Sequence, residues 1–433
     1  MTAPRTVGLA ACAALVVANM VGTGIFTSLG FQVGDIPSRP AIMILWSLGG
    51  VLALCGALCY AELSAALPRS GGEYHFLGQI FHPSLGFMAG IVSIVVGFAA
   101  PVALSAMAFG SYLQGVFPDV PPLAASVAVV VLVTLFHLRD LRLSSIFQIF
   151  FTGLKIALVL FLIATFFSSP GSTPSAAAPW SGYMLTAPFA VSLMFTLYAY
   201  SGWNAATYIL GEVRTPGRVI PLALAAGTLA VMALYLGLNA AFLHVAPAGT
   251  LAGQLNVAQV AAQAVFGEGG GRVVAGVIAL GLISAISAMT WAGPRVAMVI
   301  GEDYPRAFGW LRVRTSAGIP AVAVLAQSLL TLLLLLTSAF EQVLVYTQFA
   351  LLACSFLTVS GVIVYRFTQP DLPRPFRVPL YPLTPLLFLA ISAFAITHTA
   401  AAKPTEAIFG AITLLGGLGI YAVVARGKNK SGP

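Results

Sequence analysis

The sequence predicts an all-α integral membrane protein of about twelve spanning helices, with spans one and six broken and the first ten forming two halves of opposite orientation. Three observations predict it. Hydrophobic residues make up 59% of the chain and charged residues only 7%, against roughly 25% charged in a soluble domain. Apolar stretches of about 18 to 25 residues recur along the whole length, each long enough to cross a bilayer. Two of these stretches carry glycine-containing interruptions, which lipid tolerates only where the backbone lines a cavity.

The spans begin near residues 7, 41, 83, 122, 144, 186, 219, 272, 320, 343, 382 and 406. No cleavage-site pattern follows the first, so it reads as a retained helix rather than a signal peptide. Within it lies Gly22-Thr23-Gly24-Ile25-Phe26. Glycine inside a helix costs about 1 kcal/mol relative to alanine, so two of them around a hydroxyl residue invite a break. The NH groups after such a break can hold a carboxylate, helped by the positive end of the half-helix that follows.

The second interruption falls in span six, in Phe195-Thr196-Leu197-Tyr198-Ala199-Tyr200-Ser201-Gly202-Trp203-Asn204. Ser201-Gly202 supplies the break, and Trp203 and Asn204 are out of place facing lipid. Corresponding breaks in two halves point to an inverted-repeat transporter and to its binding site. An odd number of spans per repeat reverses its membrane orientation. The expected units are residues 7–167 (helices 1–5), 186–366 (helices 6–10) and 382–425 (helices 11 and 12), within one transporter domain over 1–433. The longest polar connections run over 168–185, 246–271 and 302–318; Val257 to Phe266, inside the second, reads as an external helix over the entrance.

The net charge of +8 is a topology signal, not a nucleic-acid signal. With the N-terminus inside, Arg5, Arg69, Arg139, Arg142, Arg214, Arg218, Arg295, Arg306, Arg312, Arg314, Arg366, Arg374, Arg377, Arg426, Lys428 and Lys430 fall on the cytoplasmic side. Arg39, Arg272 and Lys403 fall outside, and Lys155 within a span. This bias places both termini in the cytoplasm of a cell-membrane protein. Cys12, Cys55, Cys59 and Cys354 all lie in hydrophobic segments and read as small buried apolar side chains, neither metal ligands nor disulfides.

Further motifs carry a family resemblance. They are Cys59-Tyr60-Ala61-Glu62-Leu63 near the end of span two, Pro68-Arg69-Ser70-Gly71-Gly72-Glu73-Tyr74 after it, and Gly211-Glu212-Val213 with Thr215-Pro216 after span six. Gly293-Pro294-Arg295-Val296 follows span eight, and Arg374-Pro375-Phe376-Arg377-Val378-Pro379 precedes span eleven. With the two interrupted spans, in this order, they cover nearly the whole chain. The chain resembles an amino acid permease of the amino acid–polyamine–organocation superfamily, close to its sodium-independent L-type branch.

The resemblance implies a LeuT-like fold of five plus five inverted helices working by alternating access, with no cofactor. It also implies contacts. The substrate carboxylate would meet the Thr23 hydroxyl and the NH groups around Gly22, Thr23 and Gly24. The α-amino group would meet carbonyls near Met20, Tyr198 and Ser201. Tyr198, where the family often has Phe, would be the aromatic lid, with Trp203 as a second gate residue. Small Ala199, Ser201, Gly202, Ala205 and Ala206 would leave room for the substrate. Thr23 replaces the commoner Ser, and its methyl narrows the pocket.

Lys155, in span five, is the sharpest single residue. A lysine at that depth is expensive and usually functional. The rival reading is snorkelling, since it lies only about three turns from the helix end. The resemblance implies that its ammonium takes the place a sodium ion holds in coupled relatives, bonding carbonyls near Ala18 and Val21 and the hydroxyl of Ser284 or Ser287. A buried lysine can also exchange a proton, which keeps proton symport open. Glu62 reads as structural, paired with Arg69 or a helix end, and as the one acid within a span. A cationic substrate would want a carboxylate in the pocket, so neutral amino acids are favoured.

His75, His82, His137, His244 and His398 show no metal-ligand spacing and read as interfacial or capping groups. Glu212-Val213-Arg214 and Glu302-Asp303-Tyr304-Pro305-Arg306 read either as gate and helix-end contacts or as solvated loops. An intramembrane enzyme would need a paired acid, a serine–histidine pair or a metal cluster, which the spans do not supply. A channel would need a filter segment or charged rings. The expected function is sodium-independent exchange of neutral L-amino acids, with a proton symporter or a cationic amino acid/polyamine antiporter as alternatives. In the family this chain resembles, eukaryotic members often bind a single-span glycoprotein through an external cysteine between spans three and four. Residues 115–121 hold no cysteine, so no disulfide-linked heavy chain is expected. The expected partners are the amino acid substrate and membrane lipid.

Overall fold

The computed structural model describes residues 7–139, 144–172, 180–315 and 318–429; Arg5, Arg142 and Lys430 of the charge pattern lie outside them. Among the described residues the chain is a helical bundle. Its helices are α1 (Leu9–Met20), α2 (Gly24–Asp35), α3 (Arg39–Ala66), α4 (Gly72–Ile80), α5 (Pro83–Val92), α6 (Ala100–Val116), α7 (Pro122–Arg139), α8 (Ser144–Phe167) and α9 (Ala187–Tyr200). They continue with α10 (Pro216–Val245), α11 (Ala248–Leu251), α12 (Val257–Asp303), α13 (Pro305–Phe308), α14 (Ala321–Thr337), α15 (Phe340–Thr368), α16 (Leu383–Ala402) and α17 (Pro404–Asn429).

Among the described residues nine helices are long and apolar enough to cross a membrane, and ten if α1 and α2, bent by 41° at their junction, count as one broken span. Two shorter segments stand where the remaining expected spans, six and nine, were placed. α14 is apolar but has 17 residues. α9 has 14, about 21 Å of helix, and is extended past a turn by a 3₁₀-helix, Ala205–Glu212. Span three is α5 and α6 joined by a π-helical stretch, Ser93–Ala99, a feature that no sequence signal announced. Val257 to Phe266 is helical, as expected, and a kink at Gly267 separates it from the spanning part of α12.

The surface fits a lipid solvent. Ile149, Leu132 and Val423 are 65–73% exposed, which water would penalise and hydrocarbon does not. The core is polar where the broken spans meet. Gln32 on α2 donates to the Ser192 carbonyl (2.9 Å) and to Thr196 Oγ1 (2.8 Å) on α9, and accepts from Trp46 Nε1 of α3 (2.9 Å). Ser28 donates to the Phe195 carbonyl at 3.3 Å. These bonds lock the second half of span one to the first half of span six. At the opposite end, Val7 pairs with Val213 in a short parallel bridge, tying the start of α1 to the end of the 3₁₀-helix.

Glu62 is buried as expected, but its partner is not Arg69. Arg366 donates to it from Nε (2.8 Å) and from a terminal nitrogen (2.5 Å); Arg374 lies 3.6 Å away, and the Val378 amide donates at 2.7 Å. The carboxylate thus ties α3 to the end of α15 and to the Arg374–Pro379 segment, which no local pattern pairs with span two.

Candidate functional site

The site is built from two helix breaks and the side chains that satisfy them. α1 stops at Met20, and α2 starts at Gly24. The carbonyls freed between them find donors: Gly22 N–H reaches Met20 O (2.8 Å), the Tyr235 hydroxyl of α10 donates to the same oxygen (2.5 Å), and Lys155 Nζ of α8 donates to Val21 O (2.8 Å). A helix break inside a membrane needs such partners, because lipid offers none. The Thr23, Gly24 and Ile25 amides open α2 and have no carbonyl within their own helix.

The Lys155 side chain is buried. A Cβ at Gly281 of α12 would stand 2.9 Å from its Cγ, so its alkyl stem runs over α12 to reach span one. Lys155 therefore joins spans one, five and eight. Of the oxygens expected around it, the structure brings Val21 alone within bonding distance. Ala18, Ser284 and Ser287 make no bond to it, and Ser287 instead pairs with His137 Nε2 at 2.9 Å.

The second break follows Tyr200. Ser201 N–H turns back to Tyr198 O (3.0 Å), and Gly202 takes φ +97°, where an L side chain is strained. A Cβ on Gly202 would also come 3.0 Å from the Asn19 carbonyl carbon and oxygen, so the two breaks touch. They touch again at Gly24, where a Cβ would lie 2.5 Å from Ala199 Cα. Gly24 is thus a packing contact between half-helices. A larger side chain there meets the protein before it meets a ligand. The Thr23 hydroxyl, 2.7 Å from Ser105 Oγ on α6, is buried.

A cavity of about 450 Å³ reaches the breaks. It touches Ser201, Gly202, Trp203 and Tyr200 of span six and Asn19 of span one, and extends to Arg69, His75 and Arg295. Met20, Gly22, Thr23, Gly24, Tyr198 and Ala199 do not line it. Trp203 stands at its wall, edge-on to Tyr60 with ring centres 4.7 Å apart. Burial, with the Arg69 charge second, pushes the His75 imidazole down to about 4, so it adds no charge to the cavity at neutral pH.

A model of the amino acid permease family matches residues 7–418. The chain belongs to that family. The permease is 28% identical to the human b(0,+)-type amino acid transporter 1, over 96% of this chain and 87% of that protein. It is 25% identical to the serine/threonine exchanger SteT of Bacillus subtilis (strain 168), over 96% of each. It is 27% identical to the mouse large neutral amino acids transporter small subunit 2, over 96% of this chain and 80% of that one. The expected superfamily and L-type branch are thus found. The permease is a multi-pass membrane transporter of amino acids and not an enzyme.

One acid escaped the sequence reading. Glu73, in the first turn of α4, lines the cavity and is 4% exposed. Its carboxylate accepts from the Tyr60 hydroxyl and from Ser355 Oγ at 3.1 Å. Its place after span two gave no sign of burial; the nine-residue α4, with Phe76 and Leu77 buried behind it, turns it inward. The Glu302–Arg306 segment makes helix-end contacts, since the Tyr74 hydroxyl donates to Asp303. Tyr235, Ser105 and Tyr112, which donates to Phe26 O at 2.8 Å, also had no sequence signal beyond being polar groups in apolar spans.

Proposed function

We propose that this permease exchanges neutral L-amino acids across the cell membrane without sodium. The observation that carries this is the Lys155 ammonium, 2.8 Å from the Val21 carbonyl at the first break, where it supplies a fixed positive charge between spans one, five and eight. A bound cation there would face that charge at close range. The names of two relatives, a serine/threonine exchanger and a large neutral amino acids transporter, agree with exchange and with neutral substrates.

In this reading residues 7–167 and 186–366 are inverted repeats, and both termini lie in the cytoplasm. The cavity, which ends among Arg69 and Arg295, then faces the cytoplasm. The substrate carboxylate takes the place of Ser105 on the Thr23 hydroxyl and meets the Thr23 and Gly24 amides. Its α-amino group meets the carbonyls at Met20, Tyr198 and Ser201, with Tyr198 and Trp203 closing over it. Substrate shifts the equilibrium only if it binds the closed state better than the open ones. No disulfide-linked partner is needed, and all four cysteines are buried.

Glu73 favours a second reading. A buried carboxylate on the cavity wall suits a cationic side chain, so arginine and lysine belong among the substrates tried. Uptake of labelled alanine, serine, leucine and arginine into sodium-free proteoliposomes tests both. Uptake that requires unlabelled amino acid inside supports exchange. Proton-driven uptake into empty vesicles overturns it in favour of symport through Lys155. Arginine uptake exceeding the neutral substrates overturns the substrate class.

A further inference from the structure

A second pocket, of about 100 Å³, lies between the ends of α7 and α12 and the start of α14. His137, Arg295 and Arg314 line it, with Thr290, Trp291 and Pro320. Three observations give it a ligand chemistry. First, its ionisable lining groups are all basic: Arg295 lies over the Trp291 ring at 3.5 Å, and Arg314 donates to the Met298 sulfur at 3.0 Å, its acidic contact being Glu302, 3.8 Å away, half-exposed and outside the lining. Second, His137 is 1% exposed, and with Nε2 taken by Ser287, its buried Nδ1 has no partner. A buried ring nitrogen without a partner is destabilising unless a ligand supplies one. Third, the pocket reaches Pro320 at the start of α14, a helix of 17 residues, whose positive dipole end favours an anion, although the Ala321 amide is itself taken by Ile319 O at 2.8 Å.

We propose that this pocket binds a phosphoryl anion, the headgroup phosphate of an anionic membrane phospholipid. Two guanidinium groups suit phosphate oxygens. Interfacial tryptophans mark the depth: Trp310 and Trp291 are 50% and 37% exposed, as residues at a headgroup layer are. Exposed Phe136 on α7 and Leu325 on α14 offer acyl chains an apolar surface beside it. Basic pockets between spans bind anionic headgroups in this manner. A zwitterionic headgroup would set its ammonium against Arg295 and Arg314. Arg295 and Trp291 also line the transport cavity, so the headgroup would brace the helix that forms the cavity wall.

The test is native mass spectrometry of the delipidated, detergent-purified permease with phosphatidylglycerol or phosphatidylcholine of the same acyl chains. Parallel thermal scans use inorganic phosphate without lipid. One phosphatidylglycerol should be retained in preference to phosphatidylcholine. Arg314→Gln, at a half-exposed position that folding tolerates, should weaken retention by about tenfold, the loss of one charge-assisted contact. His137→Gln should do the same, with the Arg314 variant guarding against misfolding. Stabilisation by inorganic phosphate, lost in Arg314→Gln, would support the phosphoryl site and assign it to free phosphate rather than lipid. Equal retention of the two lipids with no phosphate effect, or undiminished retention in Arg314→Gln, would overturn the proposal.

Discussion

Gly24→Ala separates packing from ligand binding at the first break. The new methyl would stand 2.5 Å from Ala199 Cα and 2.8 Å from Ala199 Cβ. Carbon–carbon contact becomes favourable only near 3.5 Å, so α2 and α9 must part by about 1 Å. The Gln32–Ser192 and Gln32–Thr196 bonds, now 2.9 and 2.8 Å, would then stretch beyond bonding range. Overpacking and two weakened buried bonds together cost about 2–4 kcal/mol. The thermal midpoint of purified protein should therefore fall by several degrees, with weaker substrate binding in the same preparation. Adding Ala199→Gly removes the 2.8 Å clash and leaves the 2.5 Å one, which is with backbone, so rescue should be partial. An unchanged midpoint with abolished binding would refute the packing argument and make Gly24 part of the carboxylate cradle alone.

Three further outcomes follow from the same contacts. Lys155→Ala should slow exchange by more than about tenfold, since it vacates the donor to Val21 and leaves a buried carbonyl unmet; wild-type flux in that variant would mean the ammonium only snorkels. Glu62→Gln should lower stability by about 3–5 kcal/mol, because it strips the counter-charge from Arg366 and Arg374; a melting midpoint within a degree of wild type would refute the pairing. Glu73→Gln keeps the hydrogen-bond acceptor for Ser355 while removing the charge, so it should reduce arginine uptake more than leucine uptake; equal reductions would place Glu73 in the scaffold.

The elements and breaks were legible because lipid imposes a harsh rule on sequence. Every expected span start falls within a few residues of an observed helix or kink, and Ser201-Gly202 breaks span six where its glycine permits φ +97°. Patterns along one chain report hydropathy and backbone freedom, and these were enough for the bundle. They do not report which side chain a distant helix brings near. Glu62 was readable as a structural acid, but its arginines lie about three hundred positions away. Glu73 went unread because a short helix of ordinary composition, α4, folds it under Tyr60.

Gly24 and Lys155 show two sides of that limit. Both were singled out for correct local reasons: a glycine at a break and a charge in lipid. Yet the glycine motif alone does not distinguish a cradle from a close approach, and the Ala199 contact now favours the latter at Gly24 while leaving the Thr23 and Gly24 amides free of helical partners. Lys155 was placed against span one by resemblance, and it does reach the Val21 carbonyl. The serines of span eight do not complete the ring around it, since Ser287 is engaged by His137. A shift of α12 would move Ser284 and Ser287 relative to Lys155, and the His137–Ser287 bond resists that shift. If closure of the cavity requires the movement, His137→Gln should speed exchange as well as weaken phosphatidylglycerol retention. Slower exchange at normal stability would instead mean that the bond holds α12 in its working position.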